Sequence, residues 1–356
     1  MQNSGTKAIA PETLSLFISA LFRKAGMPET DAECCAQNLL QADLWGISSH
    51  GVIRAPLYLD RLAKGGINPR PDIRIAEGGK AVLVLDADGA AGCVAGRAAM
   101  EKAVELAREY NIAAVGVRNS NHFGAAGIYS KIAADEGMIG ICMTNVTRLV
   151  AGEGSDGAVV GNNPLSVAIP AFGEEPFLLD MALSRVANGK LILAEKKGEK
   201  IPFGWALDRQ GKPTDDPVEA QKGSLLPIGD YKGLILAYAV DILSGLITGS
   251  GFADTVVSMY QRHDLPSRVG HLMLAINIAG IIPPELMRER MAHYFNYVRG
   301  FPVISGKPGL MIPGEREFAC EKRRRAQGVP VPLATLEELA GCARLLGVAV
   351  PEDVKI

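Results

Sequence analysis

The feature that most limits what this chain can fold into is the run Lys64-Gly65-Gly66-Ile67-Asn68-Pro69-Arg70-Pro71. No helix or strand interior tolerates such a sequence, so it divides the chain. Before it, apolar residues recur at a helical period. Leu14, Phe17, Ile18, Leu21 and Phe22 predict a helix over 11–25, stopped by Gly26. Pro28 starts a second helix, with Ala32, Cys35, Leu39 and Leu40 on one face. A third helical segment is expected from His50 through Tyr58, Leu59 and Leu62. Beyond the break the pattern alternates: 81–85, 113–117 and 139–144 read as strands, 91–109 and 125–136 as helices. That alternation is the α/β signature.

The rest continues in the same manner. Strand-like runs are expected over 159–169, 177–181 and 271–278, and helices over 182–195, 233–246 and 284–298. The polar stretch 196–222 reads as a long surface excursion. The basic tail 315–346 reads as helical and able to fold back on the N-terminal helices, while residues 1–10 carry no pattern. The 356 residues, 48% hydrophobic and 21% charged, can bury a sizeable core. A net charge of -2 argues against nucleic acid or an anionic membrane as partner. Six cysteines without a CxxC spacing predict reduced core thiols. No apolar run is long enough to span a bilayer and no targeting segment is evident, so a cytoplasmic protein is expected.

The chemistry-bearing stretch is Ala42-Asp43-Leu44-Trp45-Gly46-Ile47-Ser48-Ser49-His50-Gly51-Val52-Ile53-Arg54. If it is helical, His50 and Arg54 at i, i+4 share a face, beside the Ser49 hydroxyl. Such a group could hold a small carboxylated molecule and move a proton on it. A nucleotide site of the common kind is excluded, because GxGxxG is missing; Gly89-Ala90-Ala91-Gly92 has the wrong spacing, and GxxxxGK[ST] is also absent. Asn119-Ser120-Asn121-His122-Phe123-Gly124-Ala125-Ala126-Gly127 follows a strand and opens a helix, so its backbone N–H groups could approach a phosphate or simply form a turn. Gly161-Asn162-Asn163-Pro164 offers paired amides or a plain loop. Asp180, with Met181, Ala182 and Ser184 after it, is either a ligand or a helix cap. Lys232, in Gly229-Asp230-Tyr231-Lys232-Gly233, is a phosphate contact or a solvated charge. The five histidines lie too far apart for a metal motif, and no GxSxG nucleophile elbow exists.

In order along the chain, ADLWGISSHGVIR, GGINPRP, NSNHFGAAG, GNNPL, FLLDMALS, GWALD, GDYKG and PGERE resemble the type-2 malate/L-lactate dehydrogenases. That family includes ureidoglycolate, sulfolactate, 2,3-diketogulonate and cyclic imino-acid oxidoreductases. The resemblance spans about residues 11–345. It implies a non-Rossmann fold: a helical domain over 1–72 completed by C-terminal helices in 315–356, and an α/β NAD(P)-binding and substrate domain over 73–314. It implies a homodimer with active sites near the interface and NAD, or NADP, as cofactor. By resemblance His50 is the acid/base, Ser49 its hydrogen-bonding partner and Arg54 the clamp on the substrate carboxylate; His122 competes for the acid/base role. His122, Phe123, Gly124, Ala125, Ala126, Asp180, Met181, Ala182, Lys232, Pro313, Gly314 and Glu315 would contact the cofactor. Asn162, Asn188 and Gly189 fall near the substrate pocket. There the chain departs from the family, where Thr commonly stands for Asn162 and Arg for Asn188; near the cofactor it departs again, with Asp230-Tyr231-Lys232-Gly233 where Gly-His-Lys-Gly is common. The implied reaction is hydride transfer between NAD(P) and a small 2-hydroxy acid. Reduction of a cyclic imine, and an inactive dinucleotide-binding protein, are the alternatives.

Overall fold

The computed structural model describes residues 5–356. The chain begins with strand β1 (Thr6–Ile9), then helices α1 (Pro11–Lys24), α2 (Glu29–Leu44) and α3 (Ala55–Lys64). Proline sits in the first turn of α1 and α3, where a missing N–H costs nothing. The expected third helix from His50 is corrected: Ser48–His50 and Val52–Arg54 are two 3-10 turns, and α3 starts only at Ala55. Gly51 between them is extended, so the i, i+4 argument for His50 and Arg54 does not hold.

Past the Gly/Pro break come β2 (Arg74–Gly78), β3 (Val82–Asp86), α4 (Gly92–Tyr110), β4 (Ile112–Ser120), α5 (Gly127–Asp135) and β5 (Met138–Thr144). Next are β6 (Val150–Ala151), β7 (Ala158–Val160), β8 (Leu165–Ile169), β9 (Phe177–Met181) and α6 (Asn188–Lys197). The stretch expected as a surface excursion instead folds into β10 (Ala206–Leu207), β11 (Pro213–Thr214) and α7 (Pro217–Lys222), and buries Ile201, Ala206 and Ala220. Then follow β12 (Ser224–Leu225), α8 (Tyr231–Asp241) running into a π-turn (Ile242–Leu246), β13 (Val269–Asn277), α9 (Pro284–Arg299), α10 (Glu315–Gln327), β14 (Val329–Pro332) and α11 (Leu333–Leu346).

A seven-stranded sheet, ordered β2-β3-β4-β13-β5-β8-β9, organises the middle of the chain. Only β3 and β4 run parallel; β13 pairs antiparallel with both β4 and β5. The local alternation over 81–144 therefore does not build a doubly wound parallel sheet, because a strand from far downstream separates β4 from β5. On one face, Met100, Ala103 and Ala107 of α4 and Tyr129 and Ala133 of α5 pack on Val115, Val117, Cys142 and Met273. On the other, Leu272, Leu274 and Met143 meet Leu191, Ala237, Val240 and residues of a five-stranded sheet ordered β11-β10-β12-β6-β7.

The two chain ends make one helical body. Residues 5–10 are not loose: β1 pairs antiparallel with β14, Ile9 facing Val329. Leu14, Ile18, Leu21, Phe22, Leu39, Tyr58 and Leu62 share a core with Val331, Leu336, Leu339 and Ala343. Burying each large apolar side chain is worth about 1.5–3 kcal/mol, so this body needs the C-terminal helices. Leu339→Ala is expected to cost about 2–5 kcal/mol in urea denaturation, and exposed Leu345→Ala no more than about 0.5 kcal/mol.

Candidate active site

The two 3-10 turns between α2 and α3 are set by a buried carboxylate. Asp43, 4% exposed, accepts the Val52 N–H at 2.8 Å on Oδ2. A Cβ on Gly51 would stand 2.1–2.3 Å from that carboxylate, so only glycine fits. Burial pushes the Asp43 carboxyl up to about 6, against the pull of the Val52 N–H, Ser48 and Arg324. The far end of the chain braces the same corner. From α10, Arg324 donates to the Asp43 carbonyl, and Glu321 accepts from Trp45 at 2.7 Å and from Gln41 at 2.9 Å.

On this corner Ser49, His50 and Arg54 come together. Ser49 Oγ lies 2.9 Å from His50 Nδ1, and Arg54 Nε donates to the Ser49 carbonyl at 2.7 Å. His122 reaches the same point from the β4–α5 loop. Its ring stacks on His50, centroids 5.6 Å apart, and its Nδ1 lies 2.6 Å from the Tyr58 hydroxyl. Tyr58 is missed by sequence reasoning, which reads it as a core position on the apolar face of α3. Arg54 Nη1 donates to the Tyr260 hydroxyl at 2.7 Å, a contact across 206 residues with no sequence signal.

Burial, then the Arg54 charge, lowers the His50 imidazole to about 4. Burial pushes His122 well below its ordinary range, helped by the charges of His50 and Arg54. Both rings are therefore neutral at pH 7, and a neutral imidazole can take a proton.

Other expected residues converge from the α/β side. A Cβ on Gly189 would stand 2.9 Å from Ser49 Cβ, so the start of α6 abuts the turn that carries His50. Asn162 is tied to the end of β9 through its carbonyl, which accepts the Leu183 N–H at 2.8 Å. Its neighbour Asn163 is fully buried and braces the loop instead, accepting from Val146 N and donating to the Ala237 carbonyl. The helix expected over 182–195 starts only at Asn188.

A cavity of about 310 Å³ is lined by Trp45, Ile47, Asp180, Pro313, Gly314 and Glu317, among others. It unites two segments expected at the cofactor, which is a fit on this chain's own geometry. Asp180 Oδ2 accepts the Gly127 N–H at 2.8 Å, so it caps α5, and among the described residues its Oδ1 has no hydrogen bond. Burial, then the nearby Glu317 charge, raises the Asp180 carboxyl to about 6, against the Gly127 bond.

Three of the segments expected at the cofactor have groups already engaged within the fold. The Gly127 N–H, at the helix start read as a phosphate cradle, is already taken by Asp180. Phe123 is buried between Tyr129 and His271, at 4.7 and 4.6 Å, and Ala126 is 1% exposed, so those two side chains belong to the core. Glu315 spends its carboxylate on Ile312 N and Arg299, both at 2.7 Å, and braces the loop. Lys232 is exposed at the start of α8, beside Asp230, which pairs with Arg185.

The malate/L-lactate dehydrogenase profile matches residues 9–340. The chain belongs to the malate/L-lactate dehydrogenase family. It is an NAD(P)-dependent dehydrogenase. A Pyrococcus abyssi malate dehydrogenase is 41% identical over 96% of this chain and 95% of its own. A Chromohalobacter salexigens (2R)-3-sulfolactate dehydrogenase (NADP(+)) is 35% identical over 93% and 96%. An Escherichia coli O157:H7 ureidoglycolate dehydrogenase (NAD(+)) is 33% identical over 91% and 92%. Among solved structures, the malate dehydrogenase of Pyrococcus horikoshii OT3 has a TM-score of 0.90 at 35% identity, covering 99% of each chain. The family's fold, non-Rossmann as the missing fingerprint required, is thus shared along almost the whole chain.

Titration of the His50 ring by NMR in the family member described here is expected to give a midpoint near 4. Arg54→Ala should move it upward, since a cation beside the ring is then gone. An unchanged midpoint would contradict the coupling.

Proposed function

We propose that this enzyme interconverts a small 2-hydroxy acid, malate- or lactate-like, and its 2-keto acid, with His50 as the acid/base. The observation that carries the reading is the Ser49–His50–Arg54 group, with Arg54 and Ser49 joined at 2.7 Å and Ser49 and His50 at 2.9 Å. In oxidation, His50 Nδ1–H is held by Ser49 Oγ, and Nε2 takes the hydroxyl proton. The imidazolium so formed keeps its Ser49 hydrogen bond. In reduction the same proton returns to the carbonyl oxygen as charge develops there. Arg54 grips the substrate carboxylate, whose negative charge offsets the guanidinium and raises the His50 pKa toward neutrality on binding. His122, stacked on His50 and bonded to Tyr58, stays neutral and fixes the ring plane. A nicotinamide bound beside the substrate would supply the hydride-transfer chemistry.

The cofactor side of the reading rests on the Asp180, Met181, Ala182, Pro313 and Gly314 segments around the 310 Å³ cavity, with Asp180 Oδ1 as a free acceptor. From the loop at His122–Ala126 backbone groups would contribute, as would Lys232. Asn162, Asn188 and Gly189 would border the substrate. We place the boundary between helical and α/β domains at residue 72, with 315–356 returning to the first. NAD is favoured over NADP because Arg185, the guanidinium beside Asp230 and Lys232, is spent on Asp230 rather than free for a 2′-phosphate. A second copy of the chain is the favoured partner: Tyr231, Ile235, Leu236, Ile242, Leu246 and Ile247 of α8 and its continuation are exposed. Among the described residues no helix is long and apolar enough to cross a membrane, and we assign the protein to the cytoplasm.

Assayed with NADH and NADPH over keto acids and cyclic imines, wild type should turn over a keto acid. His50→Ala should lose about 10²–10⁴-fold in kcat, and Arg54→Ala about 10–100-fold in kcat/KM. Near-native activity in both variants would refute the site. Asp230→Ala frees Arg185 and should raise the NADPH-to-NADH ratio of kcat/KM about tenfold, one unpaired charge-assisted contact; an unchanged ratio removes the argument for NAD.

A further inference from the structure

Arg54 carries five N–H donors in a rigid fork. Nε is given to the Ser49 carbonyl and one Nη1 proton to the Tyr260 hydroxyl. These are its hydrogen bonds among the described residues, so both Nη2 protons and one Nη1 proton remain. A carboxylate needs two parallel N–H bonds, which adjacent protons on Nη1 and Nη2 provide at the end of the fork; the second Nη2 proton lies on the Nε side. The guanidinium carbon is also 5.6 Å from the Tyr260 ring centroid, within cation–π range, so Tyr260 holds Arg54 through its ring face as well as through the hydroxyl at 2.7 Å. Tyr260→Phe removes the hydroxyl contact alone.

Tyr260 is itself held. Its loop, 256–268, is fastened to α3 and to the His122 loop at several points. Asp60 pairs with His263, and His263 Nε2 lies 3.2 Å from the Tyr260 carbonyl. Arg61 Nη2 donates to the Leu265 carbonyl at 2.7 Å and to Gly66 at 3.1 Å. Ser267 N–H donates to Asn121 Oδ1 at 2.9 Å. Arg61 is fully buried, and among the described residues its Nε and Nη1 have no partner and no carboxylate pairs with it. A buried guanidinium without an anion is expensive. The chain carries that cost where the loop meets α3, about two helical turns from Arg54.

We propose that Tyr260 is a positioning residue for Arg54, holding the guanidinium in the orientation that receives the substrate carboxylate. The inference rests on the active-site reading above. A free arginine would lose rotamer freedom each time substrate bound; one already tied at two nitrogens loses less, and the difference shows as affinity for the acid. Tyr260 does not touch the reacting carbon, so it acts on KM rather than on the proton or hydride step.

The test uses full-length wild type, Tyr260→Phe, Tyr260→Ala, Arg54→Ala and Arg54→Ala/Tyr260→Phe. The probes are L-malate, L-lactate and 3-sulfolactate, with the kinetics taken on whichever is turned over fastest. Tyr260→Phe is expected to raise KM for the acid about 5–20-fold, as loss of one hydrogen bond to a charged group does, with kcat within about twofold and KM for the nicotinamide unchanged. In the double variant Tyr260→Phe should add nothing to Arg54→Ala, because its effect passes through the guanidinium. The His50 NMR midpoint should also rise in Tyr260→Phe as Arg54 loosens, a readout that needs no turnover. If Tyr260→Ala does not fold, Tyr260→Phe decides alone. An unchanged KM in Tyr260→Phe alongside a damaged Arg54→Ala overturns this inference and leaves the site reading standing. Losses that add in the double variant overturn it as well. A harmless Arg54→Ala overturns the site reading itself.

Discussion

The Asp43 carboxylate, buried and bonded to the Val52 N–H at 2.8 Å, determines where Ser49, His50 and Arg54 stand. It leaves no room for a side chain at Gly51 and holds the start of the second of the two short turns on the path to α3. The interrupted path sets His50 against His122 and Ser49 against Gly189 at the start of α6. Burying an acid is costly unless it is hydrogen-bonded; here the cost is met by a backbone donor that the turn would otherwise leave unsatisfied. The C-terminal helix α10 completes the corner through Arg324 and Glu321, which is why both chain ends are needed for one active site.

Electrostatics at that corner follow from burial and one fixed cation. Two imidazoles stacked 5.6 Å apart beside Arg54 cannot both be charged. The resting site is a neutral base next to a guanidinium, suited to meet an anionic hydroxy acid. In the proposed mechanism substrate binding supplies the missing negative charge, which couples the pKa of His50 to the occupancy of Arg54 and makes proton uptake follow recognition of the carboxylate.

Much of this was legible in the chain. The Gly/Pro break, the apolar period of α1 and α2, the strands β3, β4 and β5 and the helix α4 all follow from local patterns of size and polarity. Adjacent Ser49 and His50, with Arg54 close by, are a sequence fact, and the missing GxGxxG already excluded the ordinary nucleotide fold. What misled local reasoning was context. The segment after His50 has helical composition, yet a tertiary carboxylate breaks it. Phe123 sits in a glycine-rich loop, yet its ring fills the core against His271. Glu315 has the charge of a ligand, yet Arg299 and a backbone N–H consume it.

The sequence by itself determined the residue types of the site, the class of fold and the family, because these depend on spacing and composition within short windows. Only the tertiary structure decided the order of the sheet, where β13 separates β4 from β5, and the pairing of β1 with β14 across the whole chain. It alone brought Tyr58 to His122 and Tyr260 to Arg54. Those contacts join residues 64 and 206 positions apart, and no local periodicity encodes a meeting at that distance. They arise because packing the core closes the long loops between them, and the entropy lost in closure is recovered only when the whole core forms.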